Sequence, residues 1–149
     1  MSQLAVTIAQ AFIRKGYNVN VNLVEIGALL HDIGRAKTHT VNHAIIGAEI
    51  ARSLDLPESV VSIIKRHVGG GITAEEAKKL GWPDGIYVPQ TLEEKIVCYA
   101  DKLIEGSRPT PIEKTMELLS KELPPLAIKR IRDLHLEMTA VVGDCKCLP

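Results

Sequence analysis

Aromatic side chains are scarce in this sequence: they make up 3% of the residues, as one Phe, one Trp and three Tyr. So few rings leave no obvious stacking shelf for the bases of a nucleic acid. A net charge is also missing, because 18 Lys and Arg balance 18 Asp and Glu. A balanced chain has no electrostatic footprint for an extended nucleic acid or an acidic membrane. It still permits a small phosphorylated ligand, since a bound metal supplies local positive charge. No apolar run approaches the ~20 residues that span a bilayer, and Met1-Ser2-Gln3 lacks the basic segment of a secretory leader. No membrane partner is expected, and the simplest location is cytoplasmic. The three cysteines are an odd set in a composition that does not call for a disulfide framework. Cys98, within Ile96-Val97-Cys98-Tyr99, reads as a small buried hydrophobe. Cys145 and Cys147 lie in a tail that could take a soft metal but reads more simply as an ordinary chain end.

What is present is helical spacing. The 149 residues, 46% of them hydrophobic, suffice for one domain with a real core. Leu4, Ile8, Ala11 and Phe12 form one stripe before Gly16. Asn22 can cap a helix running to about His31, and Thr40 or Asn42 can start the next, which runs to Leu54. Pro57 suits a first helical position ahead of Val60, Val61, Ile63 and Ile64. Three capping boxes are expected: Thr73 with Glu76, Thr91 with Glu94, and Thr110 with Glu113. A terminal helix passes through Ile128, Ile131 and Leu134, after Pro124-Pro125. Val19 and Val21 form a β-like patch too short for a sheet, and Gly69-Gly70-Gly71 reads as a flexible hinge. With no repeat and no dividing linker, the expectation is a single all-α domain over 1–149. Its metal-site core would span about 2–105, with C-terminal helices over about 111–141.

The chemistry gathers at His31-Asp32-Ile33-Gly34, directly after the apolar run Ile26-Gly27-Ala28-Leu29-Leu30. An imidazole nitrogen beside a hard carboxylate suits Mn, Fe, Ni, Co or Zn. Gly34 permits a sharp turn away. Four of the five histidines fall between residues 31 and 67. Asp101 follows the apolar face of Ile96, Val97 and Ala100, and a carboxylate near a core needs a partner. Lys102 is adjacent and so points elsewhere around a helix, which makes a metal the better candidate. Arg35, Lys37 and Arg66 stand beside these residues, and a guanidinium recognises phosphate through a planar fork of donors. His39 falls in a loop where it would meet substrate, and His135, between Leu134 and Leu136, reads as structural.

Leu29-Leu30-His31-Asp32-Ile33-Gly34-Arg35 resembles the signature of the HD superfamily of metal-dependent phosphohydrolases, in its HDIG-type single-domain form. His43-Ala44-Ile45-Ile46-Gly47-Ala48-Glu49-Ile50, Ile63-Ile64-Lys65-Arg66-His67 and Tyr99-Ala100-Asp101-Lys102-Leu103 resemble the later blocks, in the family's order. The resemblance implies a compact helical bundle of the HD type that hydrolyses a phosphomonoester or phosphodiester. The substrate by resemblance is a small nucleotide. One or two divalent ions are implied, drawn from Mn, Fe, Ni, Co, Zn and Mg. His31, Asp32 and Asp101 would hold the first, and Asp32 would bridge to a second held by His43 and His67. Asp32, Arg35 and Lys102 would serve catalysis, with Arg35 or Lys102 on the non-reacting phosphate. Arg35, Lys37, His39 and Arg66 would meet the substrate. The family usually carries a further ligand, most often histidine, on its opening helix. Aligning Leu4–Ala9 with that helix places this ligand a few residues before Met1, and no histidine precedes His31. The alternative is therefore a catalytically impaired HD-like module that binds a nucleotide or a partner.

Overall fold

Apolar residues spaced for one helical face start the bundle. The computed structural model describes residues 1–143. Its first helix, α1 (Ser2–Arg14), buries Ala5, Ile8, Ala9, Ala11 and Phe12. The second, α2 (Val21–Leu30), begins at Asn20, whose side chain accepts from the Leu23 amide at 3.0 Å. The cap is therefore Asn20 and not Asn22, and Val21 opens a helix instead of a β-like patch. A long-range contact selects it, since the Asn20 amide donates to Glu93 Oε1 at 2.9 Å.

A 3₁₀ turn over Ile33–Ala36 leads to α3 (His43–Ser53) and α4 (Glu58–Arg66). Asn42 stands at the start of α3 but does not cap it, because its side-chain oxygen accepts from Trp82 Nε1 at 2.8 Å. Pro57 sits one position earlier than expected, as the residue before α4. Capping boxes open α5 (Ala74–Lys79) at Thr73 and α6 (Leu92–Lys102) at Thr91, as the spacing predicts. The third box is absent. Thr110 lies beside a two-residue hairpin of β1 (Ile104–Glu105) and β2 (Arg108–Pro109), and its hydroxyl donates to the Arg108 carbonyl. Pro111 precedes α7 (Ile112–Leu119) instead. The last helix, α8 (Pro125–Val142), starts with proline at a position where no amide is needed. The fold is all-α, with that small hairpin as its sheet. Among the described residues no helix is long and apolar enough to cross a membrane. Cys145 and Cys147 lie outside the described residues.

The largest core cluster joins α1, α2, α6 and α8 through Ile8, Phe12, Val24, Ile96, Tyr99, Ile131 and Met138. A second joins α3 to α4 through Ala48, Ala51, Val61 and Ile64. A third is built on Ala44, Ala77, Trp82 and Tyr87. Four of the few aromatic rings are thus consumed in packing. The glycine run is not a hinge. Gly69, Gly70 and Gly71 are buried with φ of 61°, 72° and 97°, forming an arch against α8. A Cβ on Gly70 would lie 3.1 Å from the Ile131 amide nitrogen.

Candidate metal centre

Three helix ends deliver three imidazoles to one point. His31 ends α2, His43 opens α3 and His67 ends α4. Each Nδ1 lies against the carbonyl three residues earlier: Ala28 at 2.8 Å, Thr40 at 2.8 Å and Ile64 at 2.7 Å. A carbonyl only accepts, so each Nδ1 must donate and each neutral ring presents a bare Nε2 lone pair. Carbonyls thus set the tautomer and the ring orientation, as second-layer contacts do in metal sites.

Those lone pairs meet carboxylates. Asp32 Oδ1 lies 3.2 Å from His43 Nε2 and 3.5 Å from His67 Nε2. His31 Nε2 is 3.3 Å from Asp101 Oδ1 and 3.6 Å from Asp32 Oδ2. The Nε2 atoms of His43 and His67 are 3.1 Å apart. Asp32 Oδ1 is buried with no hydrogen-bond donor. Electron pairs that converge without a proton between them, on a buried and unsatisfied oxygen, fit a cation. Ligand atoms of His31, Asp32 and His67 all lie within 4.8 Å of one another, so these three residues could hold a metal ion. The rings are buried, while the side chains of Asp32 and Asp101 are 37% and 27% exposed, which leaves the site open on one side.

The protonation states agree with that fit. Burial opposes the Asp32 charge, but the polar contacts with His43 and His67, together with His31 and the Arg35 guanidinium, hold its carboxyl well below the usual range. Burial likewise opposes the Asp101 charge, and Lys102 and His31 overcome it. Burial pushes the His67 imidazole below its ordinary value. His31 moves the other way: burial disfavours its charge, but Asp101 and Asp32 outweigh that. Ionised carboxylates and a neutral His67 are the forms that bind metal, and His31 is where a proton competes with it.

Close backbone packing builds this geometry. Gly34 lies in the 3₁₀ turn with a φ outside the left-handed region, so the turn alone does not require glycine. Its role is contact: a Cβ there would lie 2.0 Å from the His43 carbonyl oxygen. On the far side, the Cys98 thiol donates to the His67 carbonyl at 3.2 Å, and Asp101 lies one turn further along α6.

The remaining expected residues divide. Arg35 donates through Nε to Asp32 Oδ2 at 2.6 Å and, with exposed His39, lines a cleft of about 480 Å³ beside the cluster. Lys102 lines it too, but its Nζ lies 2.5 Å from Asp101 Oδ2. The adjacent lysine is therefore a partner of Asp101 after all, because its long flexible stem reaches back around the helix. Lys37 is exposed and does not line the cleft. Arg66 does not face it either. Its Nη1 donates to both oxygens of Glu94 at 2.8 and 2.9 Å, and its Nε donates to the Ile86 carbonyl. The buried Glu94 carboxylate needs that counter-charge more than a solvated phosphate does. His135 pairs with the Tyr99 hydroxyl at 2.9 Å, consistent with a structural role. Sequence reasoning missed Arg130 and Glu76. Arg130 Nη2 donates to Glu76 at 2.8 Å and Nε to the Gly71 carbonyl, on the cleft wall. No local pattern marks residues this far apart in the chain.

A family model described as HD domain matches residues 1–106. A protein of Methanocaldococcus jannaschii described as uncharacterized is 48% identical over 140 residues, covering 93% of this chain and 83% of its own. A tRNA (cytidine(56)-2'-O)-methyltransferase of Thermoplasma volcanium is 42% identical across 97% of this chain, which spans 41% of that protein. A ribonuclease Y of Chloroflexus aurantiacus is 40% identical across 72% of this chain, a match covering 18% of that enzyme. The crystal structure of the L. monocytogenes phosphodiesterase PgpH HD domain, in complex with cyclic-di-AMP, shares the fold. Its TM-score is 0.50 at 22% identity, over 94% of this chain and 89% of that one.

Proposed function

The chain belongs to the HD domain family of metal-dependent phosphohydrolases, and on that premise we propose that it hydrolyses a phosphomonoester or phosphodiester of nucleotide type. The observation that carries this reading is the convergence of three Nε2 atoms on Asp32, whose Oδ1 is buried with no hydrogen-bond donor. His31, Asp32 and Asp101 would hold one divalent cation, and His43 and His67, with Asp32, would hold a second. When bound, such a cation acidifies water and neutralises charge on phosphoryl oxygens. The protein's own groups do the rest. Carbonyls of Ala28, Thr40 and Ile64 keep the Nε2 lone pairs aimed inward. Arg35, steadied through Nε on Asp32, has further N–H groups for a non-reacting phosphate oxygen. Lys102 keeps Asp101 ionised and adds positive charge at the cleft floor. The names of two relatives, a tRNA methyltransferase and a ribonuclease, support a phosphoester of RNA origin as the substrate class.

A second reading has one observation in its favour: α1 contains no histidine or carboxylate, so the opening helix adds no ligand to the cluster. In that reading the site binds a nucleotide and does not turn it over. The test is hydrolysis of p-nitrophenyl phosphate, bis-p-nitrophenyl phosphate, nucleoside monophosphates and 2',3'-cyclic nucleotides, with Mn, Co, Ni or Mg and with chelator. Turnover that needs metal and vanishes in Asp32→Asn is expected. Metal binding without turnover of any ester would leave the binding module as the correct reading.

A further inference from the structure

The cleft beside the metal cluster is a seam between two hydrophobic clusters. On one side Val41, Val68 and Ile72 pack on the small core of Ala44, Ala77, Trp82 and Tyr87. On the other side Leu119 and Leu123, from α7 and the turn before α8, pack on the main core. Leu80 borders the opening and is 42% exposed. Three of the basic groups on the lining are paired: Arg35 with Asp32, Lys102 with Asp101, and Arg130 with Glu76, while Lys79 and Glu122 stand beside Leu80 and Leu123. The seam's second wall comes from residues beyond 106, outside the stretch that the family model matches.

From this arrangement we propose that Ile72, Leu80, Leu119 and Leu123 select the substrate, and that they select an organic phosphate whose body presents an apolar, ring-sized face. The inference rests on the phosphohydrolase reading for the position of the phosphate and adds what the rest of the molecule must be. A volume of about 480 Å³ is in the lower part of the ~300–1,000 Å³ range of small-ligand sites. An anion held at the Arg35 and Lys102 end, where a bound cation would add positive charge, leaves its body against aliphatic side chains. Against those aliphatic side chains a polyhydroxylated body would lose water without finding hydrogen bonds, which is unfavourable. A ring face would gain from leaving water. The aromatic residues Trp82 and Tyr87 pack against each other, tilted by 60° with centroids 5.0 Å apart, inside their own cluster, so recognition of the ring is by aliphatic walls.

Phosphonates test this without turnover, because their carbon–phosphorus bond is not an ester. Calorimetric titration of the full chain should show phenylphosphonate binding at least about tenfold more tightly than methylphosphonate, measured with and without Mn²⁺. That gap should shrink at least about threefold in Leu80→Asn and in Leu123→Asn. Leu80 is partly exposed, so its variant keeps the test valid if Leu123→Asn does not fold. Leu126→Asn, on an exposed α8 position outside the cleft, should leave the gap unchanged. Equal affinity for the two phosphonates, or equal loss in Leu126→Asn, overturns the proposal. Preference for phenylphosphonate in a protein that hydrolyses no ester upholds it and overturns the phosphohydrolase reading. Hydrolysis with no phenyl preference does the reverse.

Discussion

The Cα of Gly34 faces the carbonyl of His43 with no room for another atom. A Cβ built there would lie 2.0 Å from that oxygen and 2.7 Å from the Gly47 amide nitrogen. Both neighbours are backbone, so neither can swing aside, and this contact holds Asp32 against the first turn of α3. Gly34→Ala should therefore cost about 3 kcal/mol or more in urea unfolding, at the upper end of overpacking effects. It should also weaken Mn²⁺ binding. Gly47→Ala meets a side-chain methyl first, Ile64 Cγ2 at 2.8 Å, with the nearest other-helix backbone atom, the Gly34 nitrogen, at 3.2 Å, and should cost less. Equal costs would mean that the close approach is not what requires glycine.

Asp32 is the hub of the cluster, and His135 is outside it. Asp32→Asn should lower Mn²⁺ affinity by more than about 100-fold, beyond the effect of losing an outer contact. His135→Ala should leave that affinity unchanged and cost about 1 kcal/mol of stability, through the lost bond to the Tyr99 hydroxyl. Calorimetric Mn²⁺ titration and urea midpoints read the two effects separately. The same loss of metal in both variants would contradict the assigned centre.

Arg66 supports the fold and not the ligand. Its partner Glu94 has a side chain only 5% exposed and also accepts from the Gln90 amide at 2.6 Å. Arg66→Ala should destabilise by about 3–5 kcal/mol, because it strands a buried charge. Arg66→Met combined with Glu94→Gln should recover much of that, since no charge is then left unpaired. Phenylphosphonate affinity should be the same in the folded double variant as in the wild type. A large loss of affinity there would restore Arg66 to the binding site.

Cys98 supplies an alkaline pH dependence. Burial pushes its thiol from 9.0 up to about 11. In the unfolded chain the thiol ionises first, so the folded state is favoured fully below pH 9.0 and loses that advantage as pH rises toward about 11. Between these limits the wild type should lose roughly 2–3 kcal/mol more than Cys98→Ala. Native wild type and Cys98→Ala should also show the same count of thiols to a disulfide reagent at neutral pH, with a difference of one only after denaturation. A Cys98 thiol that reacts in the native protein would refute its burial against the His67 carbonyl.

The sequence by itself determined the helices and the kinds of ligand, because both are written in short-range terms. Apolar spacing within one turn predicts α1, α4 and α8, and the capping boxes at Thr73 and Thr91 need only residues three apart. Histidine and aspartate betray metal chemistry by residue type alone. The tertiary structure decided whatever depends on a distant competitor. Glu93 contacts the Asn20 amide at the start of α2, Trp82 takes the Asn42 side chain away from α3, and Glu94 claims Arg66. The purpose of Gly34 was hidden for the same reason, since the atom it must avoid belongs to His43 on another helix. Even the tautomers of His31, His43 and His67 became definite only when folding placed a carbonyl against each Nδ1. The second wall of the cleft joins residues near 72 to residues near 123, and only packing brings them together. A hydrogen bond or an apolar contact acts over a few ångströms of space, whatever the separation along the chain.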